Sequence, residues 1–141
     1  MARSIPLVWL VVLLQVTTTS CSDVFNRPGT RVSPEVGALY SVDDGEGWFR
    51  IAKILAVDEK GVHIRLYKNR FKIRPATVDK AVLSLGKIDD PDSFGMGHLP
   101  LTRAAFVAWQ PALLERGTVS SGELDGFLEW QKAGGGYFGK E

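Results

Sequence analysis

The residues best equipped for chemistry are few: two histidines, His63 and His98, and one cysteine, Cys21. His98 follows Asp89, Asp90, Asp92 and Ser93, the residue types of a serine–histidine–carboxylate hydrolytic triad. The Gly-x-Ser-x-Gly turn that presents a nucleophilic serine does not occur in the chain. No carboxylate pair closes a strand in the way that glycoside hydrolysis uses. A single cysteine makes neither an internal disulfide nor a thiolate zinc site. The aspartates at 89, 90 and 92 are interrupted by Pro91, and no glutamate closes a twelve-residue loop, so they do not form an EF-hand. The expectation is a protein with no metal and no cofactor, and not an enzyme.

Charge offers a second kind of chemistry. The formal net charge is +1, which excludes a uniformly basic nucleic-acid binder. The charge is segregated, however. Residues 48–87 carry ten lysines and arginines against three acids, whereas 88–141 carry four against eight and 21–47 two against five. Arg65, Lys68, Arg70, Lys72 and Arg74 fall within ten positions. In an extended chain, Arg70, Lys72 and Arg74 project from one side and suit an anionic partner. The alternative is a solvated strand face neutralised by the acidic C-terminal segment. The chain has no glycine-rich phosphate loop and no run of stacking aromatics, so no nucleic-acid partner is expected.

These residues must be positioned by strands. Gly37–Val42 is a short apolar run, and Asp43–Gly47 is an acidic, glycine-containing turn. Trp48–Val57 is rich in β-branched and aromatic residues, and Asp58–Gly61 is a hairpin turn. Val62–Lys68 alternates, with Val62, Ile64 and Leu66 on one side and His63, Arg65 and Tyr67 on the other. That period predicts a half-buried strand with His63 on the solvent side. Partial alternation continues through Phe71 and Ile73, and Val82–Leu85 supplies another short strand. Strands joined by tight turns form an antiparallel meander, and four or five of them protect their edges by curling into a small barrel.

Tyr40, the turn at 43–47, Trp48, Ala52-Lys53-Ile54, Gly61 and Val62–Tyr67 together resemble SH3-like barrels of the Tudor and Agenet type, over about 50 residues (37–86). The resemblance implies the barrel. In that family an aromatic cage holds a methylated lysine or arginine by cation–π contacts. Tyr40, Trp48 and Tyr67 are the positions where a cage would be sought, although Tyr40 and Trp48 equally suit a core. This chain has Lys68-Asn69-Arg70 where the family often has an acid, so the barrel is carried over and the methylated ligand is not.

Residues 86–97 read as loop. Thr102 is an N-cap for a helix over 104–110, and Pro111 suits the first turn of a short helix through Leu114. Ser120-Ser-Gly-Glu123 is a capping box for a last helix that Gly134 ends. Tyr137 and Phe138 are expected to fold back on the barrel. Phe106, Trp109, Phe127 and Trp130 then add core that a 50-residue barrel lacks.

The first twenty-one residues contain Arg3, an apolar run from Ile5 to Leu14, and Thr17–Ser20 before Cys21. This is the order of a secretory signal, and the run is too short to span a bilayer. Thr18-Thr19-Ser20-Cys21 resembles the lipobox of bacterial lipoproteins, with Thr18 where an aliphatic residue is usual. The resemblance implies a lipidated Cys21, export, and a membrane anchor at the outer membrane or cell surface. Simple secretion with a free thiol is the alternative.

The fold expected is thus mainly β with C-terminal helices. It comprises a signal segment (1–20), a tether (21–36), a small antiparallel SH3-like barrel (37–86) and a helical cap (87–141). The function expected is an envelope lipoprotein acting as a binding or scaffold module. Its site would draw on Arg65, Arg70, Lys72, Arg74, Tyr40, Trp48 and Tyr67, and its partner would be an anionic envelope polymer or a protein. The alternatives are a cell-wall accessory hydrolase using His98 and a structural, immunity-type protein. Expressed in a bacterium with labelled fatty acid, the full chain should take up label and Cys21→Ala should not; equal labelling of both would contradict lipidation.

Overall fold

The structure is a computed structural model and describes residues 33–141. The signal segment, Cys21 and most of the tether lie outside the described residues. Five strands, β1 (Leu39–Asp43), β2 (Phe49–Val57), β3 (Gly61–Phe71), β4 (Met96–Thr102) and β5 (Ala112–Glu115), form one antiparallel sheet in the order β4-β3-β2-β1-β5. Two short helices follow from the C-terminal half, α1 (Arg103–Ala108) and α2 (Asp125–Lys132). The fold is therefore mainly β with C-terminal helices.

The sheet is not closed, which corrects the expected barrel. No ladder joins β4 to β5, and other devices protect the two edges. β5 is only four residues long, and short edges resist further pairing. The end of β4 is covered by residues near the C-terminus. Phe138 N–H donates to the Pro100 carbonyl at 2.9 Å, and Thr102 N–H donates to the Phe138 carbonyl at 2.9 Å.

Three segments differ from their sequence reading. Val82–Leu85 is not a strand; a 3-10 turn at Lys80–Val82 leads into irregular chain tied to β3 by Lys68 N–H donating to the Ser84 carbonyl. β4 takes in the last two residues of the expected 86–97 loop and the stretch 98–101, to which the sequence assigned no element. Its Gly97 and Pro100 have weak strand propensity, and pairing with β3 overrides it. The predicted helix at 111–114 is β5. Gln110, at φ 50°, turns the chain out of α1, and Leu113 then pairs with Tyr40. Elsewhere the local signals hold. The Thr102 hydroxyl accepts from Ala105 N–H, the Ser120–Glu123 capping box is formed, and Gly134 takes the left-handed conformation (φ 61°) that follows α2.

One sheet face is apolar. Tyr40, Val42, Ala52, Ile54, Val62, Ile64, Leu66, Leu99 and Leu101 pack around Phe106 of α1, with Trp109 partly buried beside them. The Tyr40 and Phe106 rings meet edge to face at 5.8 Å. The opposite face is also covered. Arg74, in the connection after β3, donates to the Ser41 carbonyl and hydroxyl at 2.9 and 2.8 Å, and α2 lies over His63 and His98. His63 is consequently 0% exposed, against the expectation of a solvent-facing ring. Alternation read one covered face correctly and had no means of seeing the second.

Phe106 is the one α1 residue fully buried. Phe106→Ala is expected to cost about 3–5 kcal/mol in a urea titration, and the half-buried Trp109 about half as much when truncated. A Trp109→Ala loss exceeding that of Phe106→Ala would place the core elsewhere.

Candidate functional site

The structure separates the residues that the sequence grouped as ligand-binding. Arg70 is engaged by its own acidic turn: its guanidinium donates to Asp44 Oδ2 at 2.7 and 3.0 Å and also bonds Glu46. Those bonds hold the Asp44 carboxyl below its ordinary range against the opposing effect of burial. Lys72 Nζ sits 3.6 Å from the centre of the Trp48 ring, and Arg74 stacks over Phe49 at 4.5 Å. The face built from Arg70, Lys72 and Arg74 thus already has partners inside the molecule. Trp48 carries a cation, but that cation is its neighbour's. Tyr40 faces the apolar core, where its hydroxyl accepts from Glu35 N–H at 3.1 Å. Tyr67 lies on the opposite face of the sheet from Tyr40, as its place beside core-facing Leu66 on β3 requires. No aromatic cage is assembled from Tyr40, Trp48 and Tyr67.

Arg65 and Tyr67 are brought together. They line a cavity of about 510 Å3 with Lys53 of β2, Lys80 of the 3-10 turn, and Glu115 and Arg116 at the end of β5. Period two puts Lys53, Arg65 and Tyr67 on the same face, since Lys53 and Arg65 are directly paired across β2 and β3. The register that buries Ile54 against Ile64 therefore delivers two cations side by side. Lys53 Nζ donates to both Glu123 carboxylate oxygens at 2.9 Å. Arg65 Nη1 is 3.9 Å from the same carboxylate, within ion-pair range but beyond hydrogen-bond length. Arg65 Nε is buried and has no hydrogen-bond partner among the described residues. Leaving such a charged donor unmatched costs about 1–3 kcal/mol. Burial first, and the Glu123 charge second, push the Tyr67 phenol up, so it remains a hydroxyl donor at neutral pH. Lys80 pairs with Glu115 at 2.6 Å and Arg116 with Glu35 at 2.7 Å, and both pairs are at the surface, where such contacts rearrange at small cost. Lys53, Lys80 and Arg116 were not singled out from the sequence. The strand period carried the signal for Lys53, whereas the other two arrive through the irregular 72–86 segment and the unrecognised β5.

His98 forms a second polar cluster, without the neighbours proposed for it. Asp90 accepts from Lys68 Nζ at 2.9 Å, and Ser93 lies with Asp90 at a different surface hollow. His98 Nε2 instead meets His63 Nδ1 at 3.0 Å, and His63 Nε2 meets Asp58 Oδ2 at 2.9 Å. The Tyr137 hydroxyl donates to the same Asp58 oxygen. Asp58 is held well below the ordinary carboxylate range. Burial works against this, and the lowering comes from hydrogen bonds donated by Tyr137, His63 and the Gly61 and Lys60 amides. An ionised Asp58 only accepts, so His63 Nε2 carries a proton. In the neutral ring, His63 Nδ1 then accepts from His98 Nε2–H. Phe127 and Trp130 of α2 and Tyr137 close over His63 at ring distances of 4.7, 4.5 and 5.5 Å. A side chain at Gly61 would strike the Tyr137 ring, so that glycine lets the ring close down. The cluster holds α2 and the Tyr137 segment on the sheet.

Among the described residues, no group of three or more histidine, cysteine or acidic side chains is placed to hold a metal ion. Also among them, no helix is long and apolar enough to cross a membrane. No protein-family model, no curated protein and no solved structure matches the chain.

Burial first, and the facing His63 second, lower His98 to about 4 from an ordinary 6.5. The unfolded chain takes up that proton first as pH falls. The stability that neutral His98 contributes is complete above pH ~6.5 and is lost as pH falls from there towards ~4, by roughly 2 kcal/mol in all once solvent screening of the partly exposed ring is taken off. Asp58, ionised in the fold, adds a further loss below pH ~4. Urea midpoints should therefore fall from pH 7 to pH 5, and His98→Gln should flatten the profile in that interval. A wild-type midpoint that does not move over it would contradict the arrangement.

Proposed function

We propose that this chain is an exported, lipid-anchored binding module whose Arg65–Tyr67 cavity takes a compact oxyanion, a phosphate or carboxylate borne on a small polyol or sugar unit. The observation that carries the reading is the buried Arg65 Nε with no hydrogen-bond partner among the described residues, in a cavity lined also by Lys53, Lys80 and Arg116. A guanidinium fork pairs with planar or tetrahedral oxyanions through two parallel hydrogen bonds. A ligand oxygen at Nε would replace an unmatched donor with a charge-assisted bond. Tyr67 would add a neutral donor, and Lys80 and Arg116 would exchange surface ion pairs for the ligand. The volume is that of a small-ligand site, which favours one unit of an anionic envelope polymer over a flat surface. Export and anchoring rest on the apolar run before Cys21 and on the position of that cysteine. Binding is the reading that the incompletely matched guanidinium supports directly.

The test uses 15N-labelled full chain in mild detergent, following the Arg65 Nε–H resonance. Glycerol 3-phosphate and glucuronate represent the two oxyanions, with glycerol as the neutral control. A saturable shift with one or both anions, absent with glycerol and abolished in Arg65→Gln, is the expected result. Binding that survives Arg65→Gln, or no shift with either anion, would overturn the reading.

A further inference from the structure

Glu123 does not itself line the cavity, but its carboxylate is paired with two cations that do, Lys53 and Arg65. Its two carboxylate oxygens chelate Lys53 Nζ at 2.9 Å, and Oε1 stands 3.9 Å from Arg65. The two side chains of the Lys53–Glu123 pair are each 15% exposed, so this is no loose surface contact. A carboxylate is thus already seated on one cation of the cavity and close to the other.

The element that brings it there, the 3-10 turn Ser121–Leu124 with α2, contributes no fully buried residue of its own. The arm is held by Phe127 and Trp130 against the histidine rings, by Gly126 against His98, and by Glu123 itself. Elements with few buried contacts open locally at a fraction of the global stability. Leaving Lys53 would not strand the Glu123 carboxylate. Its Oε2 also accepts from Ser120 N–H at 2.8 Å and from the Ser120 hydroxyl at 3.0 Å, local bonds to the residue at the base of the arm.

We infer that Glu123 is a built-in competitor, and that the 121–132 arm moves off Lys53 and Arg65 when an external oxyanion binds. The inference rests on the cavity being an oxyanion site. It adds that the resting protein already neutralises these cations from within and that ligand binding is transmitted to the exposed face of α2. An anion entering beside Glu123 would otherwise meet a like charge at close range.

The decisive variant is Glu123→Gln in the full chain. Glutamine keeps the reciprocal hydrogen bonds of the capping box while removing the competing charge. Affinity for glycerol 3-phosphate or glucuronate is expected to rise by about tenfold, a change of ~1.4 kcal/mol, and to be abolished by adding Arg65→Gln. Hydrogen exchange on the wild-type chain is the second readout and does not depend on any variant folding. Amides of 125–132 should exchange faster with ligand bound. Arg65-dependent binding with unchanged or weaker affinity in Glu123→Gln, or with amides of 125–132 protected by ligand, would overturn the competitor and leave the site. Absence of any Arg65-dependent binding would overturn both.

Discussion

Burial of the second face of β3 is the constraint on which the molecule is organised. β3 lies between β2 and β4, with α1 packed on one side and α2 on the other. Its inward positions toward α1 are Val62, Ile64 and Leu66, which require nothing but close packing. Its positions toward α2 are His63, Arg65 and Tyr67, which require partners once water is excluded. His63 obtains them in Asp58 and His98, with Tyr137 closing above. Arg65 lies beside Tyr67 and 3.9 Å from Glu123, and its Nε has no partner among the described residues. One strand therefore holds both a satisfied polar cluster and an unsatisfied one. This contrast, rather than charge density, distinguishes the cavity from the rest of the basic surface.

The net basic charge of 48–87 finds most of its counter-charge within the fold. Asp44 and Glu46 take Arg70, Asp90 takes Lys68, Glu115 takes Lys80 and Glu123 takes Lys53. The acids come from the segments on either side of the basic run, so the segregation visible along the sequence is largely cancelled in space. A cluster of five cations within ten residues thus resolves into separate ion pairs, ring contacts and one incompletely matched guanidinium.

How much of this was legible in the sequence depends on the range of the signal. The β1 to β3 meander, the Thr102 and Ser120 caps and the Gly134 stop are local, and each was readable from spacing or residue type. The return of Tyr137 and Phe138 onto the sheet was readable because two aromatics after three glycines must find cover. β4 and β5 were not readable: their strand character comes from pairing with β3 and β1, and Gly97, Pro100 and Pro111 argue locally against it. The closed barrel, expected from the likeness to Tudor-type domains, failed for the same reason, since β4 and β5 sit at opposite edges. For the candidate site, alternation placed Arg65 and Tyr67 together but could not show that Glu123 lies over that face. Arg70, Lys72 and Trp48 looked equally available, and only the fold shows how they are engaged.

The Tyr137–Asp58 hydrogen bond spans 79 positions of the chain. The hairpin carrying Asp58 and His63 can form early, because its contacts are local. The chamber around the histidines cannot close until a segment far downstream has come back across the sheet. Long loops of this kind slow the approach to the native state. Until that return, His63 and the end of β4 lack their cover, so the same contact that seals the finished domain sets a late, topologically distant step in its assembly.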